Sequence, residues 1–258
     1  MESLAHNFSR YFKVRLATDQ QERHYTFAIR YQVYAEELGW EPLNDHRLEI
    51  DPCDEYAYHC LLEHASSGNI AGCVRLVIPT LSTVKAPLPC QTHQIPIPSS
   101  HRKRLIDKGR VGEISRLAVP ANFRRRARET HQPFVLDERN STTIYTDEER
   151  RNFPNISIGL YLAAIAMVEI CDLDRVLVVM EPRLRRHLGR YGLKFHQIGK
   201  PFELRGNRAL FALPRRELTI HMNEGILELY RLIQQELWDG WPHPGRPWSE
   251  GLESHGHV

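Results

Sequence analysis

The chain has 258 residues, 41% apolar and 26% charged, with 34 Lys and Arg against 32 Asp and Glu and a formal charge of +2. This balance excludes a disordered or collagen-like polymer, and a body of this size can bury roughly three-quarters of the surface that its unfolded chain exposes. No apolar run approaches the roughly 20 residues that a bilayer span needs; the longest, Ile156 to Cys171, is broken by Ser157, Gly159 and Glu169.

Residues Tyr11 to Ala17 alternate as a strand does, and Asp19 opens a helical pattern through Tyr25, Ile29, Val33 and Leu38 that Gly39 closes. His59 to Glu63 and Ile70 to Pro79 are β-rich runs around Ser66-Ser67-Gly68-Asn69, an antiparallel hairpin pattern. Residues 85–110 carry Pro87, Pro89, Pro96 and Pro98 and read as an excursion rather than a core element, before a strand from Val111 to Val119. A second polar excursion, 121–153, precedes the most apolar helix, Ile156 to Asp172. Val176 to Met180 reads as a strand buried on both faces. Pro182 starts a helix ending near Gly192, Lys194 to Ile198 and Arg208 to Leu213 are strands, and Glu217 to Trp238 is an amphipathic helix with Ile220 on its apolar side. The order β-α-β-β-β-α-β-α-β-β predicts one α/β domain over 1–238 with a mixed sheet of about seven strands, followed by a loosely ordered tail, 239–258.

Five cysteines, at 53, 60, 73, 90 and 171, form no C-x-x-C pair, so neither a disulfide framework nor a thiolate metal site is expected. No His pair with helical metal-ligand spacing and no G-x-S-x-G nucleophile signature occurs. The N-terminal MESLAHNFSRYFKVRL lacks an apolar signal core, so a cytoplasmic location is expected. Charge is segregated: His101 to Arg104, Arg124 to Arg126 and Arg183 to Arg190 are basic, and Glu36 to Glu55 is acidic. Basic runs on a near-neutral chain suggest an anionic partner, whether nucleic acid, a phosphate group or an acidic protein.

Functional residue types are densest in Arg30-Tyr-Gln-Val-Tyr34, Leu38-Gly-Trp40 and Glu49-Ile-Asp51-Pro-Cys-Asp54, followed by Gly72-Cys-Val-Arg75-Leu and Glu113-Ile-Ser-Arg116. These spacings resemble the acyl-homoserine-lactone (autoinducer) synthases, acyltransferases on the GNAT N-acetyltransferase fold. His59-Cys-Leu-Leu-Glu-His64, Glu113 to Val119, Phe123-Arg-Arg-Arg126, Leu160-Tyr-Leu-Ala-Ala164 and Met180-Glu-Pro-Arg-Leu184 resemble, over nearly the whole chain, the acyltransferases associated with the PEP-CTERM/exosortase system. Those are relatives of autoinducer synthases and N-acyl amino acid synthases. The resemblance implies a GNAT α/β fold and transfer of a fatty acyl group, from acyl carrier protein or acyl-CoA, to the amine of an amino acid or similar small acceptor.

Amide formation needs a neutral amine, hence an acid that holds the acceptor's ammonium and a base that takes its proton. Glu49, Asp51 and Asp54 supply acids, with Arg30, Tyr34, Trp40 and Arg75 completing the proposed acceptor side; the acids and arginines equally fit a structural network, and the aromatics fit ordinary core packing. Glu113 shares a strand face with Ser115 and is the candidate base, Ser115 and Arg116 completing the catalytic set. The resemblance places oxyanion and donor contacts near Arg116, Leu117 and Val119. The Q/R-x-x-G-x-G/A loop of acetyl-CoA enzymes is absent, which favours a carrier-protein donor whose phosphopantetheine arm meets the helix start at Asn155 and Ser157. Arg124, Arg125, Arg126 and Arg183 to Arg186 would face that acidic partner, and Ile156, Ile158, Leu160 and Leu162 fit either an acyl tunnel or plain core. Two other readings stay open: an autoinducer synthase using S-adenosylmethionine, disfavoured by Tyr34 where those enzymes usually have Phe, and a non-catalytic binder of carrier protein or nucleic acid. No recognition helix or aromatic platform supports nucleic acid.

Overall fold

A computed structural model describes residues 3–83, 86–106, 109–124 and 152–242. The chain starts with a helix, α1 (Leu4–Tyr11), capped by Ser3, whose Oγ accepts from the His6 N–H at 3.2 Å. The sequence reading begins with a strand and misses this helix. Its signal is Leu4, Phe8 and Tyr11, spaced four and three apart on one helix face. β1 (Phe12–Leu16) follows, then α2 (Gln20–Tyr31) with Asp19 as its N-cap. α2 runs without a break into a π-helical stretch, Gln32–Glu37, and the chain turns at Gly39 with φ +63°. Wide turns of this kind re-aim side chains and recur at functional sites; here the stretch carries Tyr34.

After a short 3₁₀ turn, Pro52–Tyr56, come β2 (Ala57–His64) and β3 (Ile70–Val77). Residues 86–106 hold two short helices, α3 (Pro89–Thr92) and α4 (Ser99–Leu105). β4 (Val111–Ala118) precedes α5 (Pro154–Ile170), β5 (Arg175–Met180), α6 (Pro182–Arg190), β6 (His196–Glu203), β7 (Asn207–Pro214) and α7 (Glu224–Asp239).

The seven strands form one sheet in the order β1-β2-β3-β4-β5-β7-β6, antiparallel everywhere except between β4 and β5. One face packs against α1, α5 and α7 through Phe8, Leu160, Ile165 and Ile233. The other face carries α2 over β2 and β3, and the 86–106 segment over β4, β5 and β7. That segment is not the detached excursion its prolines suggest. Leu88 and Cys90 are 1% exposed against Val111, Leu177 and Leu210; the prolines prevent a long helix and do not prevent burial. α7 begins later than expected, at an Asn223 cap accepting from Ile226 N–H at 3.0 Å, so Ile220 lies outside the helix and is 65% exposed.

Two irregularities open the centre of the sheet. β4 pairs with β5 only from Val111↔Arg175 to Ile114↔Val178, and beyond that the two strands part. Against β3, Ser115 to Ala118 spans Arg75 to Cys73, so β4 holds one extra residue, and Arg116 adopts φ +54° there. A non-glycine residue in the left-handed region at a bulge is a strained conformation of the kind concentrated at functional sites.

Among the described residues no helix is long and apolar enough to cross a membrane. The excursion 121–153 beyond Arg124, apart from Asn152 and Phe153, and the tail beyond Pro242, lie outside the described residues.

Candidate active site

Where β4 and β5 part, a cleft of about 100 Å³ enters the molecule. Its inner wall is apolar: Ile114 and Leu117 of β4, Tyr161, Ala164 and Ile165 of α5, Val178 and Met180 of β5, Leu184 and Leu188 of α6, and Leu193 and Phe195 beyond it. Its polar rim consists of Tyr34, Ser115, Arg116, Glu181 and Arg208. Such an arrangement, apolar depth with a few polar groups at one end, suits a small amphipathic ligand.

The α5 residues on this wall are spaced three and four apart, the period of one helix face. Ile156, Ile158, Leu160 and Leu162 follow a spacing of two, which suits a strand, and on the helix they fall into the main core, each no more than 4% exposed and absent from the cleft wall. Of the two sequence readings for them, core packing is the one the structure adopts.

Next to the rim lies a closed network of charge. Arg30, fully buried, donates to Glu49 Oε2 at 2.5 Å and to both Asp54 oxygens at 2.7 and 3.0 Å. Arg75 reaches Asp51 and Asp54, each at 2.7 Å, and Ser115 Oγ at 3.0 Å. Arg116 grips Glu49 at 3.0 Å and Asp51 at 3.0 Å. Three guanidiniums thus meet three carboxylates, and Asp54 also accepts from the Asp51 N–H in a capping box that shapes the Pro52–Tyr56 turn. Burial alone would raise the Asp54 carboxyl, but Arg30 and Arg75 hold it well below the usual carboxylate range. His59, 3.5 Å from Asp54, is kept neutral, its pKa lowered by burial to about 3. A buried charge stripped of its partners costs roughly 3–5 kcal/mol, so these acids are committed to locking the 49–54 turn onto α2, β3 and β4.

Tyr34 reaches from the π-helical stretch to donate its hydroxyl to the Leu117 carbonyl at 2.8 Å, and stacks on half-buried Trp40 with ring centroids 6.0 Å apart. The β6–β7 turn clasps Trp40 from outside: Arg205 donates to its carbonyl at 2.8 Å and pairs with Glu41 at 2.8 Å.

Glu113 is 2% exposed, and its Oε2 accepts from the Cys90 N–H at 2.8 Å. Burial pushes its pKa up to about 7. It does not line the cleft, whereas Ser115, two residues on along the same strand face, does. Cys90 was not singled out by sequence reasoning, and no motif points to it; its position depends on how the proline-rich segment folds back.

The remaining donor-side candidates are scattered. Leu117 lines the cleft, while Val119 is fully buried in the core. Arg124 is 6% exposed and ion-paired with Glu37, so its charge is used inside the fold; Arg125 and Arg126 lie outside the described residues. Asn155 donates to Asn152 at 3.2 Å, and Ser157 is buried. This helix start sits with Phe153 beside His64 and Phe123, about 9 Å along the helix from Tyr161 at 1.5 Å per residue, so the structure does not bring it to the cleft. α6 does reach the cleft: Leu184 and Leu188 line it while Arg183, Arg185 and Arg186 are exposed beside it.

Residues 29–131 match the family model described as an acetyltransferase (GNAT) domain. The AHL synthase LasI superposes with a TM-score of 0.54 at 16% identity, covering 84% of this chain and 94% of that one. The fold is the GNAT acyltransferase fold. FeeM, an N-acyl amino acid synthase from uncultured soil microbes, gives a TM-score of 0.51 at 11% identity over 82% of this chain and 94% of its own. MesI, a CoA-dependent acyl-homoserine lactone synthase, gives 0.50 at 19% identity over 86% and 95%. No curated protein matches the chain in sequence. The parted β4–β5 pair is thus the centre of the GNAT sheet, and the matched segment carries Arg30, the acid network, Glu113 and Arg116. Among the described residues no group of His, Cys, Asp and Glu side chains is arranged to hold a metal ion.

Proposed function

We propose that the protein is an N-acyltransferase of the type associated with the PEP-CTERM/exosortase system, acting in the cytoplasm. It moves a fatty acyl group from the phosphopantetheine thioester of acyl carrier protein, or from acyl-CoA, to the amine of an amino acid or similar small acceptor. The observation that carries this reading is the apolar cleft that opens beside Ser115 and Arg116 where β4 leaves β5. The exposed arginines of α6 beside that cleft suit an acidic carrier protein or the phosphates of CoA.

In this reading the acyl chain lies between β4, α5 and α6, and its carbonyl sits at the rim by Ser115. The amine nitrogen attacks that carbonyl, the new N–C bond forms, the C–S bond breaks, and the pantetheine sulfur leaves as the thiol, carrying the second proton lost by the attacking nitrogen. Glu113, with a pKa near the working pH, takes the ammonium proton through water along the Glu113–Ser115 face. Backbone groups of β4 beyond Ile114, unpaired on the β5 side, stabilise the oxyanion. Arg30, Arg75 and Arg116 with Glu49, Asp51 and Asp54 hold that geometry rather than grip substrate, because all six are ion-paired with one another, although Arg75 Nη2 is buried without a hydrogen-bond partner.

A second reading, an acyl-homoserine-lactone synthase using S-adenosylmethionine, is favoured by the motif spacings from Arg30 to Arg116. Mass spectrometry of lipid extracts from cells expressing the protein separates the two. An N-acylated amino acid is expected; a homoserine lactone as the product supports the second reading, and the absence of any acylated amine overturns both.

A further inference from the structure

Among the described residues, Arg208 is a cation at the cleft rim with no hydrogen bond or ion pair to a protein group. It is half-buried at the start of β7, and its guanidinium lies 5.3 Å from the Trp40 ring centroid. Its Nε is buried with no hydrogen-bond partner, and among the described residues no carboxylate pairs with it, although Glu181 lines the same cleft. Arg30, Arg75, Arg116 and Arg205, the arginines around it, are ion-paired with carboxylates, Arg75 despite a buried Nη2 that has no hydrogen-bond partner, and Arg205 also donates to the Trp40 carbonyl. A desolvated guanidinium with unused donors is a costly feature unless a ligand supplies the acceptor.

The strand register sets what that acceptor belongs to. Glu113 lies opposite Leu177, and Leu177 opposite Ala212, so Glu113, Leu177 and Ala212 form one row across the sheet. Arg208 shares its face with Leu210 and Ala212, since Ala209, Phe211 and Leu213 point into the other core. Glu113, Ser115 and Arg208 therefore stand on one face of the sheet, and the apolar wall of α5 and α6 stands on the other. An acceptor whose amine meets the acyl carbonyl at Ser115 has its remaining atoms along the face where Arg208 waits. The flat fork of the guanidinium, steadied by Trp40, matches a carboxylate through two parallel N–H···O bonds.

We infer that Arg208 is the residue that selects a carboxylate-bearing acceptor, so that the substrates are free amino acids and the products N-acyl amino acids. This rests on the acyltransferase reading. The competing source of an oxyanion is the donor's pantetheine phosphate, and the test separates the two.

Calorimetric binding of N-octanoylglycine, its methyl ester and 4′-phosphopantetheine is compared for the wild-type protein, Arg208→Gln and Arg208→Lys. The Gln variant is expected to bind the free acid roughly 10- to 100-fold more weakly and the ester as the wild type does. The Lys variant, with its charge but without the fork, is expected to fall between. Equal binding of acid and ester by the wild type, equal losses for acid and ester in the Gln variant, or a loss confined to phosphopantetheine overturns the assignment. Retained ester binding shows that the variant is folded. Arg208-dependent binding of the acid, with no amide formed by the wild type from any donor, overturns the acyltransferase reading and leaves the carboxylate site standing.

Discussion

Glu113, the proposed base, faces two opposing demands: a base must ionise, and a side chain 2% exposed in a protein interior resists ionisation. Burial raises its pKa from 4.5 to about 7, against the pull of the Cys90 N–H. The folded state therefore binds this proton more tightly than the unfolded chain does, so the contribution of Glu113 to stability is fully present at low pH and is lost as pH climbs from about 4.5 through about 7. The loss is on the order of 3 kcal/mol. Glu113→Gln should lower amide formation by a factor on the order of 10² and should remove that loss. Urea denaturation at pH 5 and pH 8 checks it: the wild type should weaken more than the Gln variant, and equal weakening of both would mean that this carboxyl keeps its ordinary pKa. In the sequence, Glu113 and Ser115 stand out because two-residue spacing on a strand is easily read. Arg208 does not, since one arginine at a strand start is indistinguishable from ordinary surface until Trp40, 168 positions away, is seen stacked beneath it.

Helix α5 shows what periodicity conveys and what it leaves out. Its extent was legible as a long apolar run between Pro154 and Asp172, but it is buried nearly all round, so no polar stripe marks which face meets the cleft. That face is set by contacts on the opposite side, where Gly159 lets Phe8 of α1 approach: a Cβ on Gly159 would lie 2.6 Å from Phe8 Cε2 and 3.0 Å from Leu62 Cδ1. Gly159→Ala should thus cost about 1–3 kcal/mol in overpacking, partly offset by about 1 kcal/mol of helix propensity. The expected outcome by calorimetry is a fall in Tm of a few degrees; a rise would mean that Phe8 yields without loss. The 86–106 segment fails to read as core for a different reason. Prolines report only the backbone's inability to continue a helix, while Leu88, Cys90 and Ile95 are too few and too irregularly spaced to show a period.

Taken whole, the molecule is two sets of antiparallel strands, β1 to β4 and β5 with β7 and β6, joined at one parallel seam. The near-neutral total charge conceals the same division. The Arg–acid network belongs to the first set, and the exposed arginines of α6 and the Arg208 strand to the second. The seam, four residue pairs long, also sets the order of assembly. Hairpin contacts such as β2–β3 and β6–β7 close short loops, whereas joining β4 to β5 must first span residues 119 to 174, and loop closure over longer separations slows folding. Pulse-labelled hydrogen exchange during refolding should protect the β2–β3 amides before those that join Gly112 to Ile114 with Val176 to Val178. Simultaneous protection would mean that the two sets condense together. With late closure, a chain that has completed β4 already carries Glu113 and the locked acids but lacks the β5 and α6 side of the cleft, so the apolar surface that holds the acyl chain in the proposed function stays exposed until the second half docks.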